Sequence, residues 1–338
     1  MLNFFSRIGL LAMILVFGAS LSLSAPTGAA AQQVLKISHS WVKGDIRDNW
    51  ARNFADLVKQ KTNGEISLEI HPGGVLFKPK AQFDAIRKGA LDMSIYPLGW
   101  TSGKYPRLAL FELPGLVESP AKGKRLANSP VGERIAEIAE KAGMKIVGWG
   151  WMPCSIGSEE KQVVVPEDIQ GLKVRGAVKP VEMTFRQAGA AVTKMPSSEV
   201  YMALQTGTLD GLLTTNSSFY SFRLYDLIEY LTLGTDYSLI QGLFTMVINP
   251  SVFDKLSEAH QRAVLEASEE AQKTFQGEVV EVTDKCIQAF KDAGASVVEM
   301  SREDYELWVA EAKQSAWTWY REKVRNGAEL LEMALKVE

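Results

Sequence analysis

Val34-Leu35-Lys36-Ile37-Ser38 alternates in the manner of a β-strand, and the run that follows it to Ile95 decides the fold. After Gly44, apolar residues recur at helical spacing through Trp50, Phe54, Leu57 and Val58, and Asn63-Gly64 ends that helix. Ile66, Leu68 and Ile70 alternate as a second strand, broken at His71-Pro72-Gly73-Gly74. A second amphipathic helix carries Phe83 and Ile86 and stops at Gly89. Leu91 to Ile95 then reads as a buried strand. The order β-α-β-α-β implies a largely parallel sheet with helices packed on it.

A second block of the same kind follows. Lys145 to Trp149, Val163 to Val165, Leu172 to Arg175 and Leu209 to Leu213 read as strands. Helices are expected from Val181 to Gln187 and from Ser198 to Thr206, each stopped by a glycine. Two α/β lobes of similar size are the implied architecture. From about Ser257 to Lys291 there is no proline, and apolar residues from Val264 to Phe290 are spaced by threes and fours. That is one stripe on one helix about 50 Å long, which exceeds a small lobe and implies a crossing of both. A last helix is expected from about Tyr305 to Leu335.

The bulk numbers agree with a two-domain globular chain: 338 residues, 46% hydrophobic and 23% charged. Residues 1–31 read as a signal peptide, with Arg7 before an apolar run and Ala29-Ala30-Ala31 as the cleavage pattern. The apolar run is shorter than the roughly 20 residues that span a bilayer. Removing this leader leaves 36 basic and 40 acidic side chains, a net charge of −4. An acidic surface of this kind excludes nucleic acid as the expected partner. Localisation in the periplasm follows from the leader.

No motif for catalysis is present. His39, His71 and His260 lack metal-ligand spacing, no phosphate loop or nucleophile elbow occurs, and Cys154 has no local motif for a nucleophile. No enzyme activity, metal or cofactor is expected. Cys154 and Cys286 are distant in sequence, and either two isolated thiols or a disulfide is compatible with the chain. What remains is a pocket pattern. Tyr96, Trp100, Trp149 and Trp151 fall at or beyond strand ends, where aromatic side chains line clefts or pack in cores. Arg175 ends an apolar strand beside Gly176. A buried arginine requires an anionic partner, either an internal carboxylate or that of a ligand.

Pro166-Glu167-Asp168-Ile169-Gln170-Gly171-Leu172-Lys173-Val174-Arg175 resembles a segment of the DctP-type solute-binding subunits of TRAP transporters. Gly89-Ala90-Leu91-Asp92-Met93, the run from Ser198 to Gly207 and Leu209-Asp210-Gly211 resemble three further segments of that family, in order and spacing. The resemblance covers residues 34–330. It implies two α/β lobes around a ligand cleft, with a long helix spanning both. Lobe I is expected from residues 32–152 with about 240–280, and lobe II from 153–239 with about 281–338. It also implies that Arg175 binds the carboxylate of a small organic anion, which the closed protein hands to an ion-coupled TRAP permease. A binding protein of an ABC importer or of a membrane sensor would share the lobed plan. Oligomeric state is open, with a monomer as the default and a dimer possible.

Other contacts transfer with changes. Many members carry a second arginine where this chain has Ser155. Thr214, Asn216, Ser40, Trp41, Tyr96, Trp100 and Trp151 complete the expected ligand-binding set with Arg175 and Ser155. Loss of the second arginine and the nearby tryptophans imply a monocarboxylate with an apolar or aromatic body, such as a 2-oxo acid or an aromatic acid.

Overall fold

A computed structural model describes residues 32–338, so the expected leader lies outside the described residues. The strands are β1 (Gln33–Ser38), β2 (Ile66–His71), β3 (Met93–Tyr96), β4 (Lys145–Ser158), β5 (Lys173–Arg175), β6 (Ala191–Thr193), β7 (Gly211–Thr215), β8 (Tyr230–Leu233), β9 (Gln241–Ile248) and β10 (Ser296–Glu299). The helices of the first half are α1 (Ile46–Lys61), α2 (Pro79–Arg87), α3 (Pro120–Ala127), α4 (Pro130–Lys141) and α5 (Lys179–Gln187). They are followed by α6 (Val200–Gln205), α7 (Asn216–Ser221), α8 (Pro250–Asp254), α9 (Glu258–Asp292), α10 (Arg302–Ala312), α11 (Thr318–Lys323) and α12 (Gly327–Leu335).

The fold is the two-lobed α/β plan. In the first lobe the strand order is β2-β1-β3-β9-β4, with β1 parallel to β2 and β3, and β9 antiparallel to β3 and β4. In the second, β7 pairs antiparallel with β4 and parallel with β5, which pairs with β6. One strand serves both sheets. Lys145 to Pro153 of β4 pair with β9, and Cys154 to Ser158 pair with β7. The chain thus passes from lobe to lobe without leaving the ladder.

The helix α9 is the second connection. Its 35 residues span about 52 Å at 1.5 Å per residue. Val264, Ala267, Ala271 and Phe275 pack with Trp50 and Phe54 of α1 in the first lobe. Cys286 and Phe290 of the same stripe pack with Phe219 and Leu231 of the second. Strand β9 shows why the first sheet is covered on both faces. Met246 and Ile248 belong to the α1 and α9 side, while Leu243 and Val247 face the opposite core with Leu110 and Ile135.

Two expected elements differ, and so does the packing of the tail. Val163 to Val165 form no strand: the Val164 and Val165 amides donate to Asp168 Oδ2, and the Val164 carbonyl accepts from Trp308 Nε1. These backbone groups are satisfied by side chains, so they need no ladder. The last helix is interrupted by a π-helical turn at Lys313–Trp317 and by Asn326 at φ 59°. The tail also divides between cores. Tyr305 and Trp308 pack in the second lobe, but Tyr320, Leu330 and Leu331 join Leu110 and Ile135 of the first. Grouping all of residues 281–338 with lobe II therefore does not describe the packing.

Candidate functional site

Strand β5 carries Arg175 to the seam between the lobes, and Asp210 fixes that strand. Asp210 Oδ2 accepts from the Lys173 amide, while the Asp210 amide donates to the Lys173 carbonyl, both at 2.7 Å. Immediately after Arg175 and Gly176, Ala177 adopts φ 66°, a left-handed conformation that costs a non-glycine residue energy. The strained turn forms part of a cavity wall.

Arg175 is 2% exposed. Its Nε donates to the Met195 carbonyl at 3.2 Å, Nη1 to the Leu213 carbonyl at 3.2 Å and Nη2 to Ser197 Oγ at 3.1 Å. A guanidinium has five N–H donors, so one N–H remains on each terminal nitrogen. None of the ion pairs formed among the described residues includes Arg175. Burial pulls its pKa down to about 10. No carboxylate lies within ion-pair distance of it, although buried Glu182 acts on it through space.

A small, partly open cavity of ≈ 40 Å³ lies over this guanidinium. Trp41, Trp100, Glu112 and Phe244 line it from the first lobe, and Arg175, Thr214 and Ser218 from the second. The sequence singled out Arg175, Thr214, Trp41 and Trp100, and these four meet here. Trp100 also faces an adjoining groove of ≈ 280 Å³ with Tyr96, Phe83 and Lys194. Tyr96 belongs to that outer groove and not to the inner cavity.

The remaining expected residues lie elsewhere. Ser155 Oγ donates to Asn216 Oδ1 at 2.6 Å and accepts from the Gly234 amide at 3.1 Å, which braces the wall behind Thr214. Ser40 Oγ accepts from Gln82 Nε2 at 3.4 Å beneath the first lobe's surface. Trp151 is core: it stacks on Trp149 with centroids 6.5 Å apart and fills the space over Gly123, where any Cβ would collide with its indole. Cys154 lines the cavity and Cys286 is buried; both are free thiols. Burial pushes the Cys154 thiol up to about 12, so it is no nucleophile at neutral pH.

Arg47 and Glu112 were not anticipated from the sequence. Arg47 Nε and Nη2 bind the two oxygens of buried Asp45 at 2.6 Å each. Its terminal nitrogens also reach Ser218 Oγ at 3.1 Å and Thr215 Oγ1 at 3.5 Å, across the seam. The guanidinium face lies 4.4 Å from the Trp41 ring. All five donors are engaged and the charge is matched by Asp45, so Arg47 ties the lobes together but offers no free fork. The local signal was Asp45 two residues before Arg47, a spacing that lets one carboxylate cap α1 and hold the arginine. Glu112 is 1% exposed and ends the 3-10 segment Pro106–Glu112. Its Oε2 is buried with no hydrogen-bond partner. Burial pushes its carboxyl up to about 8, so it holds a proton at neutral pH.

A larger open groove of ≈ 670 Å³ between α1, α7 and α9 carries Lys43, Glu278, Glu281 and Lys285. Its charges are solvated, and size alone does not make it a binding site. Among the described residues no group of three or more His, Cys, Asp and Glu side chains is placed to hold a metal ion.

A family model described as bacterial extracellular solute-binding protein, family 7 (DctP) matches residues 37–323. A solute-binding protein of Albidiferax ferrireducens is 35% identical over 311 residues, spanning 90% of this chain and 92% of that protein. The 2,3-diketo-L-gulonate-binding periplasmic protein of Escherichia coli is 28% identical over 276 residues, 80% of this chain and 83% of its own. Among solved structures, a TRAP periplasmic solute-binding protein from Rhodoferax ferrireducens with bound malonate matches at TM-score 0.87 and 34% identity. That match covers 90% of this chain and 98% of the other.

Proposed function

The chain belongs to family 7 of the bacterial extracellular solute-binding proteins, the DctP family of TRAP transporters, and from that premise we propose that Arg175 grips the carboxylate of a small monocarboxylate between the lobes. Proteins of this family are periplasmic receptors, not enzymes; they bind small organic acids and work with a TRAP permease. The observation that carries the finer reading is a desolvated guanidinium facing a cavity, with one N–H free on each terminal nitrogen and no carboxylate in ion-pair contact with it. Two parallel N–H donors match the two oxygens of one carboxylate.

Charge balance supports a monoanion. Arg47 is neutralised by Asp45 and Glu112 carries its proton, which leaves one uncompensated positive charge in the cavity. A second carboxylate would need another cation. Size supports a short body. The inner cavity is small, ≈ 40 Å³, beside the outer groove of ≈ 280 Å³. Trp41, Trp100 and Phe244 supply apolar walls. A 2-oxo acid with a short aliphatic chain meets these demands better than a hexuronate or an aromatic acid. Thr214 donates or accepts at the cavity wall, and Tyr96 with Trp100 flanks the entrance. Ser155 and Asn216 act from behind as braces. The leader directs the chain to the periplasm and is removed after Ala31, and a monomer is the default state of the receptor, with a dimer as the alternative.

Tryptophan fluorescence tests the ligand class, because Trp41 and Trp100 line the cavity. Pyruvate, 2-oxobutyrate and 2-oxoisovalerate are expected to quench or shift the emission at micromolar concentration. Tight binding of succinate or malate with no response to any monocarboxylate would refute the proposal.

A further inference from the structure

Glu112 is a carboxyl group that the packing of the protein leaves without a role. It faces the same cavity as Arg175, its Oε2 is buried, and no side chain or backbone group hydrogen-bonds to that oxygen. The fold makes room for it. Gly99 packs directly on the carboxyl, and a Cβ there would collide with it. An acid this buried and unpartnered persists only when something else completes its bonding. The side chain itself lines the cavity.

The groups around it leave it neutral. Tyr96 on β3, Cys154 on β4 and, farther across the cavity, Arg47 and Arg175 are the nearest titratable side chains. Glu182 on α5 is buried but meets Arg186, and Lys179 lies over Trp319. The charged residues of α4, α11 and α12 on the far side are exposed or half-buried. Burial is the cause of the upward displacement, and no neighbouring charge opposes it. A carboxylic acid in this state is a hydrogen-bond donor.

We propose that Glu112 is a specificity-determining residue: its carboxylic acid O–H donates to an oxygen of the ligand that Arg175 does not hold, and so selects 2-oxo and 2-hydroxy acids over plain fatty acids. The inference rests on the cavity being the carboxylate site. Arg175 provides the grip that any acid satisfies. Glu112 asks for an acceptor one carbon further along. When Glu112 ionises it loses the donor and adds a negative charge facing the carboxylate, so both effects weaken binding together.

The experiment titrates pyruvate, 2-oxobutyrate and 2-oxoisovalerate against propionate, butyrate and isovalerate, at pH 7 and pH 9. Wild type, Glu112→Gln and Arg175→Met are compared, with folding checked by circular dichroism. With Glu112 titrating at about 8, wild-type affinity for the 2-oxo acids is expected to fall about tenfold between these pH values, in proportion to its protonated fraction. Arg175, at about 10, stays charged over most of this range. The glutamine amide is a neutral donor of nearly the same shape, so Glu112→Gln is expected to retain the 2-oxo preference and lose the pH dependence. A flat wild-type profile, an unchanged slope in Glu112→Gln, or equal affinity for the paired acids would overturn the role of Glu112. The wild-type profile needs no variant and stands even if the substitution fails to fold. If Arg175→Met binds these acids as wild type does, the carboxylate site itself is wrong. If Arg175→Met loses them while the pH profile is flat, only Glu112 is refuted.

Discussion

Replacing Arg175 with methionine separates affinity from stability, and the two are expected to respond very differently. Burial of the charge displaces the Arg175 pKa from 12.5 to about 10. At 1.36 kcal/mol per pKa unit, that burden is roughly 3 kcal/mol. Methionine removes it and keeps most of the volume. The substitution also withdraws donors from the Met195 and Leu213 carbonyls and from Ser197. The Leu213 carbonyl is buried and costs about 1–3 kcal/mol without its donor, while Met195 and Ser197 are half-buried and can turn to water, so the loss is of the same order as that burden. Unfolding free energy in denaturant is therefore expected to stay within about 2 kcal/mol of wild type. Affinity has no such offset. Removing one side of a desolvated charge pair costs about 2–5 kcal/mol, or roughly 30- to 5,000-fold in Kd. A thermal-shift assay reads both at once. Ligand at 100 times the wild-type Kd stabilises wild type by about 2.7 kcal/mol, roughly 5 °C for a chain of this size, and the variant is expected to show at most about a third of that shift. Arg175→Lys is expected to fail similarly, since ammonium lacks the fork. A folded Arg175→Met protein with wild-type affinity would refute the carboxylate grip. A loss of more than about 4 kcal/mol in stability would instead show that the guanidinium is a structural tie.

The other expectations concern the frame around the cavity. Arg47→Met leaves Asp45 buried and unpaired, so chemical denaturation should register a loss of about 3–5 kcal/mol; a change under 1 kcal/mol would mean the seam is held elsewhere. Trp151→Ala is expected to cost about 3–5 kcal/mol of stability as a cavity in the core, with ligand affinity nearly unchanged in what still folds. Trp100→Ala should show the reverse balance in the same two assays, because Trp100 lines both the cavity and its entrance. Burial alone would raise the Asp48 carboxyl, but hydrogen bonds from His39, Arg52 and the Gly44 amide hold it far below the usual carboxylate range. A depressed native pKa adds stability above the unfolded value near 4 and loses it as pH falls further, so Asp48→Asn should flatten the acid limb of a Tm-against-pH curve below about pH 4.

The architecture was readable because its determinants are local. The β-α-β-α-β order appears as periodicity and glycine stops, and α9 as an unbroken stripe from Val264 to Phe290. Strands β8, β9 and β10 left no comparable mark. Gln241 to Ile248 is buried on both faces, so it lacks alternation, and its partners β3 and β4 lie far away in sequence. The tail misled for a related reason. Helical spacing shows which residues face a core, but not which of two cores; Trp308 and Leu331 carry the same apolar signal and pack in different lobes.

The acids that made the segments recognisable are not the ones that face the cavity. Asp92 accepts from the Lys36 amide, Asp168 from Val164 and Val165, and Asp210 from Lys173. Each fixes a backbone turn or strand end, a job that depends on near neighbours and leaves a short, regular pattern in sequence. Arg175 shares in that pattern because Asp210 sets the strand that ends on it. Arg47 and Glu112 do not share in it. Asp45 before Arg47 has the local pattern of an ordinary helix cap, and nothing in the sequence around Glu112 marks it as buried. Their meaning comes from burial across the seam: one charge is matched by Asp45 and the other group keeps its proton, while Arg175 alone is left uncompensated. Counting arginines in the sequence therefore misses half of the charge balance at the cavity. The missing arginine at Ser155 is only half of it, since Arg47 reaches the same cavity with every donor already engaged.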